Sequence, residues 1–222
     1  MLEEPNEKEH DETLKIILLG EPFTGKTSLI NVYVRDKFDE EEKPTESPSY
    51  LSKVVTVDDL NILINMWDTA GQEKYRSINK IFIKNSNIIL FIYDITRKKT
   101  FNELSFWVEY VGEVIENDEP ILGVVGNKID LFDQEKEFKE SGKEFDLVKT
   151  EEGKEYAKQI DAEFLETSAK ENAPGFDEFM NKLVEKYIKK YMKEKNKNKL
   201  PKINKVNLDD NKSIPQPKKK CC

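Results

Sequence analysis

Residues 20–27, GEPFTGKT, constrain the fold of this chain more than any other stretch. They fit the pattern G-x-x-x-x-G-K-[ST], they follow an apolar run at 14–19, and a helical pattern over 26–35 begins within them. Gly25 allows the backbone to approach an anion, and successive N–H groups at the helix start form a nest for phosphate oxygens. Lys26 is predicted to meet the β- and γ-phosphates, and Thr27 to ligate Mg²⁺. Gly20, Thr24 and Ser28 complete the predicted phosphate-binding set.

Apolar runs alternate with helix-period segments over residues 13–192, which we expect to form one domain. Strands are predicted at 14–19, 51–57, 61–67, 88–93, 121–125 and 163–166. A turn at Asp58 and Asp59 separates the second and third, and helical stripes cover 101–115 and 176–191. This alternation predicts an α/β fold, a mostly parallel six-stranded sheet with helices on both faces. Ligands of such sheets bind beyond the carboxyl ends of the strands, so chemistry is expected in the loops that follow strands.

Three later loops carry polar residues at those strand ends. Asp68 follows the strand at 61–67 and can hold Mg²⁺ through water, and the amide of Gly71 can reach a γ-phosphate. In NKID at 127–130, the Asp130 carboxylate can accept two hydrogen bonds from the N1–H and N2–H₂ edge of guanine, which adenine does not offer. TSAK at 167–170 places backbone amides near the guanine O6. Together the four loops predict a guanine-nucleotide site, whose base-side residues are Asn127, Lys128, Asp130, Ser168, Ala169 and Lys170.

Charge is unevenly spread along the chain. The net charge is −8, but residues 193–222 hold ten Lys against three acidic residues, so this tail carries +7 and residues 1–192 carry −15. The tail has too few apolar residues to offset its chain entropy and is predicted to be disordered, as is the acidic segment 1–12. The acidic body argues against nucleic-acid binding, which needs surface Lys and Arg.

Composition disfavours several other classes of protein. The only cysteines are Cys221 and Cys222, and the only histidine is His10, so disulfides, zinc sites and His-based catalysis are not expected. The apolar run at 88–93 is far shorter than the roughly 20 residues of a membrane-spanning helix. The N-terminus lacks a signal-peptide pattern, and residue 2 is not Gly. We therefore expect a soluble intracellular protein.

Residues 14–192 resemble the Rab branch of the Ras superfamily of small GTPases. Beyond the loops above, the resemblance rests on WDTAGQE at 67–73, KYRSI at 74–78 and YDIT at 93–96. It implies that Thr45, which stands 18 residues after Thr27, is a second Mg²⁺ ligand that senses the γ-phosphate. It also implies that Gln72 orients the attacking water while Lys26 stabilises charge. Phe38 matches the aromatic residue that covers guanine in this family; a core aromatic at a helix end is the equal alternative.

The resemblance changes the meaning of the C-terminus. A Cys-Cys ending after a basic linker implies double geranylgeranylation of Cys221 and Cys222, with the lysines at 218–220 attracted to anionic lipid. Two unmodified thiols are the alternative. The implied bound groups are Mg²⁺ and GTP or GDP. The implied partners are an exchange factor, a GTPase-activating protein, an escort protein and effectors. The chain is expected to be a monomeric cytoplasmic switch that cycles onto the cytosolic face of intracellular membranes and regulates vesicle trafficking.

The sequence departs from the Rab pattern at four places, one of which is FIKNS at 82–86 in place of the family's Tyr-Tyr-Arg-Gly-Ala pattern. Pro22 and Phe23 replace small residues; Pro22 removes an N–H and Phe23 adds bulk beside the γ-phosphate, which bears on the rate of GTP hydrolysis. The sequence offers no identifiable arginine finger, so slow intrinsic turnover and reliance on an activating protein are expected. ESPSY at 46–50 replaces the stretch that effectors read, and only the aromatic at Tyr50 survives. The connection at 132–150 is roughly ten residues longer than the usual one, either as a solvated insertion or as a partner contact.

Two other functions stay open at this point. Pro22, Phe23 and the altered stretch after Thr45 also suit a nucleotide-binding module with little or no GTPase activity. A P-loop kinase or ATPase is a weaker alternative, because NKID at 127–130 argues for guanine.

Overall fold

The computed structural model describes residues 10–41, 45, 49–68, 76–115, 119–132 and 146–192. Six strands form one sheet in the order β2-β3-β1-β4-β5-β6. They are β1 (Glu12–Leu19), β2 (Ser49–Val57), β3 (Leu60–Asp68), β4 (Ile88–Asp94), β5 (Ile121–Asn127) and β6 (Glu163–Thr167). Every neighbouring pair is parallel except β2 and β3, which are antiparallel. The predicted mostly parallel six-stranded sheet is confirmed.

The first strand begins earlier than its apolar run. Glu12 pairs with Ile62 of β3, and the Asp11 backbone N–H donates to Asn61 O at 2.7 Å. Residues 11 and 12, assigned above to a flexible N-terminal segment, are therefore part of the folded domain. Backbone pairing extends the strand past the point where side chains become polar, which apolar periodicity does not register. The rest of that segment, residues 1–9, lies outside the described residues.

The turn between β2 and β3 lies where it was predicted. Val57 pairs with Leu60, which leaves Asp58 and Asp59 as a two-residue loop. Their φ angles are 49° and 63°, the left-handed values that a type I′ hairpin requires at both positions. Aspartate tolerates this conformation better than most residues, so the hairpin register is encoded locally.

Helices cover both faces of the sheet, as predicted. They are α1 (Lys26–Arg35), α2 (Arg76–Ile83), α3 (Lys98–Asn102), α4 (Leu104–Val114), α5 (Thr150–Gln159) and α6 (Phe176–Tyr187). A 3₁₀ turn at Ile129–Leu131 and a π-helical turn at Ile188–Met192 complete the helical segments described. None of the helices in the described ranges has the length and apolar character needed to cross a bilayer.

The two cores lie on opposite faces of the sheet and share its central strands. On β1, Leu14, Ile16 and Leu18 belong to the core beneath α1 and α6, whereas Ile17 and Leu19 belong to the core beneath α2, α4 and α5. All five side chains are fully buried. A strand buried on both faces reads as a continuous apolar run, because its alternate side chains enter different cores. The carboxyl ends of the parallel strands are thereby held at one edge.

The long connection at 132–150 rejoins the fold before α5. Asp146 forms a parallel bridge with Arg97, and its carbonyl oxygen accepts a hydrogen bond from the Lys98 N–H at 2.8 Å. Val148 is buried, and its N–H donates to Ile95 O at 2.9 Å. The end of this connection therefore packs on the loop after β4. Residues 133–145 lie outside the described residues.

Candidate functional site

The loop between β1 and α1, residues 20–27, is called the phosphate loop below. At Gly20, with φ 147°, a Cβ would lie 2.2 Å from Ile92 O. At Gly25, with φ 90°, a Cβ would lie 2.2 Å from Asn127 Nδ2. Both positions accept only glycine, because of the positive φ and because neighbouring atoms leave no room. α1 begins directly afterwards, so its first N–H groups face the loop and form an anion-binding end.

Lys26 folds back over this loop. Its Nζ donates to Gly20 O and Glu21 O, both at 2.9 Å, and the residue is buried. Burial lowers the pKa of Lys26 to about 8, against opposing effects of Asp68 and Glu21 and a small additional lowering by Arg97. A buried ammonium group held by two carbonyl dipoles is ready to pair with an anion in the loop.

Three oxygen atoms from distant segments meet beside Lys26. Thr27 Oγ1 lies 2.7 Å from Thr45 Oγ1, and each hydroxyl donates to Asp68 Oδ2, at 2.8 Å and 3.1 Å. Hydroxyl and carboxylate oxygens are the ligands that Mg²⁺ prefers. The donor set of Thr27, Thr45 and Asp68 therefore fits the metal predicted for it, and the fold brings all three predicted ligands together.

Asn127 joins the phosphate loop to two loops on the base side. Its Nδ2 donates to Thr24 O at 2.9 Å, and its Oδ1 accepts from the Ala169 N–H at 3.0 Å. Asn127, Thr24 and Ala169 are all buried. Within the protein, the Ala169 amide predicted to face guanine O6 is thus engaged with Asn127. Asn127 braces three loops and fixes their spacing.

The predicted guanine-reading carboxylate lies in the same group. The Ser168 hydroxyl donates to Asp130 Oδ1 at 2.6 Å, so a buried residue of the loop after β6 orients a half-buried residue of the loop after β5. Lys170 Nζ lies 2.8 Å from a carboxylate oxygen of Glu40, which stands two residues after Phe38. Lys128 Nζ lies 2.9 Å from Asp94 Oδ2. Ser168 and Asp130, both assigned to base recognition, are therefore neighbours in space, whereas Lys170 and Lys128 pair with residues that were not predicted for the site.

Other predicted residues lie at the margins of this group or outside the described residues. Phe38 is half-buried and packs against the core beneath α1 and α6, and Ser28 is half-buried in α1. Outside the described residues lie Gly71, Gln72, Cys221 and Cys222.

Pro22 and Phe23, the two unusual residues of the phosphate loop, both lie near the loop after β4. Phe23 has a φ of 62° and a side chain that is 66% exposed, and it lines a cavity of about 480 Å³ together with Lys99 and Asp146. Pro22 O accepts a hydrogen bond from Arg97 Nη2 at 3.1 Å. The strained Phe23 thus lies beside the loop after β4.

The part played by the loop after β4 was not predicted from the sequence. Arg97 contacts the phosphate loop at Pro22 O and Asp94 contacts both Arg97 and Lys128, but YDIT at 93–96 was interpreted only as a family signature. The available signal was position, since Asp94 ends a parallel strand just as Asp68 and Asn127 do. Glu40 was missed because its partner, Lys170, is 130 positions away in the sequence.

The whole arrangement comprises a glycine-bounded anion loop, a buried lysine, an oxygen cluster suited to Mg²⁺ and an oriented carboxylate for a purine edge. A comparison with protein-family models matches residues 15–190 to the Ras family. This match covers most of the chain and includes every described loop of the site. Ras-family proteins are small GTPases that bind GTP or GDP with Mg²⁺ and act as nucleotide-dependent switches. The chain belongs to the Ras family.

Proposed function

We propose that this protein is a Rab-like GTPase that hydrolyses GTP slowly and controls a step of vesicle trafficking from a prenyl anchor. The observation that carries the proposal is the contact among Thr27, Thr45 and Asp68. It ties Thr45 to the phosphate loop through the same oxygen atoms that suit Mg²⁺. The position of Thr45 then depends on what occupies the loop, which is how a nucleotide changes the surface that partners see.

The residues supply a hydrolytic site without a covalent intermediate. Lys26 and the N–H groups at the start of α1 stabilise negative charge on the phosphates, and Gln72 is proposed to orient the attacking water. Mg²⁺, when bound, adds positive charge at the phosphate oxygens. Asp130, oriented by Ser168, accepts from the guanine edge.

An aromatic cluster formed by β2, β3 and α2 supports a role in recruiting effector proteins. Tyr50 stacks on Trp67 with ring centroids 4.9 Å apart, and Trp67 contacts Phe82 at 5.0 Å. Tyr50 is exposed, and so is Ile81, which precedes Phe82 in the chain. Exposed aromatic groups of this kind are typical of protein interfaces. Exchange factor, GTPase-activating protein, escort protein and effectors are proposed partners of the monomeric chain.

Base recognition is tested by changing the side chain at position 130 and comparing two purine bases that differ at the edge it contacts. Asp130→Asn should weaken binding of guanosine triphosphate and improve binding of xanthosine triphosphate, measured by competition against a fluorescent GDP. Asp161→Asn, an exposed aspartate with a φ of 54°, is the matched control and should leave both affinities unchanged. An unaltered preference in Asp130→Asn would remove Asp130 from base recognition.

Turnover is tested by single-turnover hydrolysis with and without cell extract. Gln72→Leu should slow GTP hydrolysis, and cell extract, as a source of the proposed activating protein, should accelerate hydrolysis by the wild type. A rate unchanged by Gln72→Leu would contradict the role assigned to Gln72.

A nucleotide-binding module with little hydrolysis is the second candidate, favoured by the strained Phe23 and by Pro22, which lacks an N–H. If it is correct, the wild type should bind GTP tightly yet show no hydrolysis in either condition. Phe23→Gly would then show whether that residue is responsible.

The membrane anchor is tested by localisation. The tagged wild type should distribute between cytosol and intracellular membranes, and a variant with Ser at 221 and 222 should be cytosolic. Equal membrane fractions for both proteins would exclude a prenyl anchor at these cysteines.

A further inference from the structure

Asp94, the last residue of β4, is a buried carboxylate surrounded by donors. It is 1% exposed. Its Oδ1 accepts from the Thr96 N–H at 2.9 Å and from the Thr96 hydroxyl at 2.6 Å. Its Oδ2 accepts from Arg97 Nε at 2.9 Å and lies 2.9 Å from Lys128 Nζ. Burial alone would raise the pKa of Asp94, but Lys128 and the Thr96 hydrogen bonds outweigh burial and lower it, so the carboxylate is ionised at neutral pH.

The backbone of Asp94 is held as firmly as its side chain. The Asp94 N–H donates to Thr100 Oγ1 at 3.0 Å, and that hydroxyl also contacts Arg97 O at 2.8 Å. The loop between β4 and α3 therefore closes on itself around the carboxylate. A buried charge in a closed loop forms a fixed point for the cations that reach it.

The first of these cations, Arg97, connects Asp94 to the phosphate loop. Arg97 uses Nε for Asp94 and Nη2 for Pro22 O, at 3.1 Å. The planar guanidinium group holds its donors in a fixed geometry, so fixing one nitrogen on Asp94 also directs the other at the phosphate loop. Pro22 lacks an N–H, and its carbonyl is the group through which Arg97 holds this part of the loop.

The second cation, Lys128, connects Asp94 to the loop that is predicted to bind the base. Lys128 has a φ of 74° and lies between Asn127 and Asp130 in the base loop, residues 127–130. Its ammonium group on Asp94 anchors the middle of a loop whose two ends are held by Thr24 and Ser168. Asp130 is two residues away, so the course of the base loop at Lys128 influences the placement of Asp130.

We infer that Asp94 is a positioning residue that couples the phosphate loop to the base loop, through Arg97 on one side and Lys128 on the other. Its negative charge keeps both ends of the nucleotide site at one spacing and so slows nucleotide release. The inference rests on guanine-nucleotide binding at this site and adds to it a residue predicted to touch neither phosphate nor base.

The test compares release of fluorescent GDP and fluorescent inosine diphosphate, which lacks the 2-amino group of guanine, in excess Mg²⁺. Asp94→Asn keeps the side-chain shape and removes the charge. GDP release should become faster by roughly tenfold to a hundredfold, as the loss of one hydrogen bond to a charged group gives. The ratio of inosine to guanosine diphosphate release rates should fall towards one, because Asp130 is no longer held in place. Asp94→Glu, which retains the charge, should recover part of both effects.

Arg97→Gln separates the two arms of the network. It should accelerate release of both nucleotides by the same factor, about threefold to tenfold, and leave their ratio unchanged, since only the phosphate end loosens. The double variant Asp94→Asn, Arg97→Gln should release GDP at a rate within about twofold of that of Asp94→Asn alone, because both changes act on the same contact. If Asp94→Asn does not fold, Arg97→Gln still decides: release of GDP at the wild-type rate would overturn the inference.

Two controls separate positioning from general weakening. Asp59→Asn, in the hairpin turn, makes the same chemical change away from the site and should release GDP at the wild-type rate. Ile83→Val, in the core beneath α2, reports how much a general loss of stability accelerates release. The inference is overturned if Asp94→Asn behaves like either control or keeps the wild-type ratio of the two nucleotides. A wild type that holds no guanine nucleotide would instead refute the proposed function.

Discussion

Asn127 Nδ2 donates a hydrogen bond of 2.9 Å to the carbonyl oxygen of Thr24, 103 positions earlier in the chain. The same amide group accepts the Ala169 N–H through Oδ1. Because all three residues are buried, water does not reach these groups to replace a lost partner. One side chain therefore sets the spacing of the loops after β1, β5 and β6.

Asn127→Asp should destabilise the protein and accelerate nucleotide release. The carboxylate has the same shape but no hydrogen to donate, so it faces Thr24 O as an unpaired buried acceptor. We expect the free energy of unfolding to fall by about 2–3 kcal/mol, measured by urea denaturation. Asn102→Asp, at the exposed end of α3, is the matched control and should change it by less than about 0.5 kcal/mol. Equal stabilities of the two variants would show that the bond to Thr24 contributes little.

Lys26 should make nucleotide affinity depend on pH. In the nucleotide-free protein, burial lowers the pKa of Lys26 to about 8, and bound phosphates raise it by stabilising the ammonium form. Affinity should therefore be steady below pH 8 and fall above it, by at most about tenfold per pH unit. Calorimetry at pH 8.5 in buffers of different ionisation enthalpy should detect proton uptake on GDP binding. Lys26→Arg, whose side chain stays charged, should bind without this uptake.

Phe23→Gly should stabilise the protein although it removes a large side chain. Phe23 has a φ of 62°, which strains a residue with a Cβ by about 1–2 kcal/mol, and its ring is too exposed to contribute much packing. Glycine also has a greater entropy in the unfolded chain, which offsets part of this gain. The free energy of unfolding, measured by urea denaturation, should therefore rise by about 0.5–1 kcal/mol. Phe132→Gly is the control: Phe132 is 51% exposed but has a φ of −66°, so glycine there should destabilise. A loss of stability in both variants would show that Phe23 is not strained.

Tyr93→Phe should be neutral or stabilising by up to about 1 kcal/mol. The Tyr93 hydroxyl is fully buried and has no hydrogen-bond partner among the described residues, and burial raises its pKa far above the usual range. Removing an unsatisfied hydroxyl ends a desolvation penalty. Tyr187→Phe is the comparison, because Tyr187 accepts a hydrogen bond from Asn87 Nδ2 at 3.0 Å and should lose stability. Thermal unfolding of both variants in excess GDP distinguishes them; destabilisation by Tyr93→Phe would reveal a partner for its hydroxyl.

α5 was missed because it does not carry the expected apolar pattern. In α5 the buried residues include Gly153 and Ala157, and a Cβ at Gly153 would lie 2.5 Å from the Tyr93 hydroxyl. This helix packs closely on the sheet through small residues, so it lacks the apolar stripe by which α6 was predicted. α2 (Arg76–Ile83) was missed as well, because its two ends were interpreted only as part of the family signature at 74–78 and of the departure from the Rab pattern at 82–86.

Local sequence alone determined the doubly buried strands, the Asp58-Asp59 turn and the phosphate loop. Each depends on neighbouring residues: side-chain alternation, tolerance of positive φ, or glycines before a helix. Only the tertiary structure decided which polar groups meet, such as Asp94 with Lys128, or Thr27 with Thr45 and Asp68. The reason is geometric. Parallel strands deliver their loops to one edge of the sheet, and contacts made there between residues far apart in the chain leave no periodic trace in the sequence.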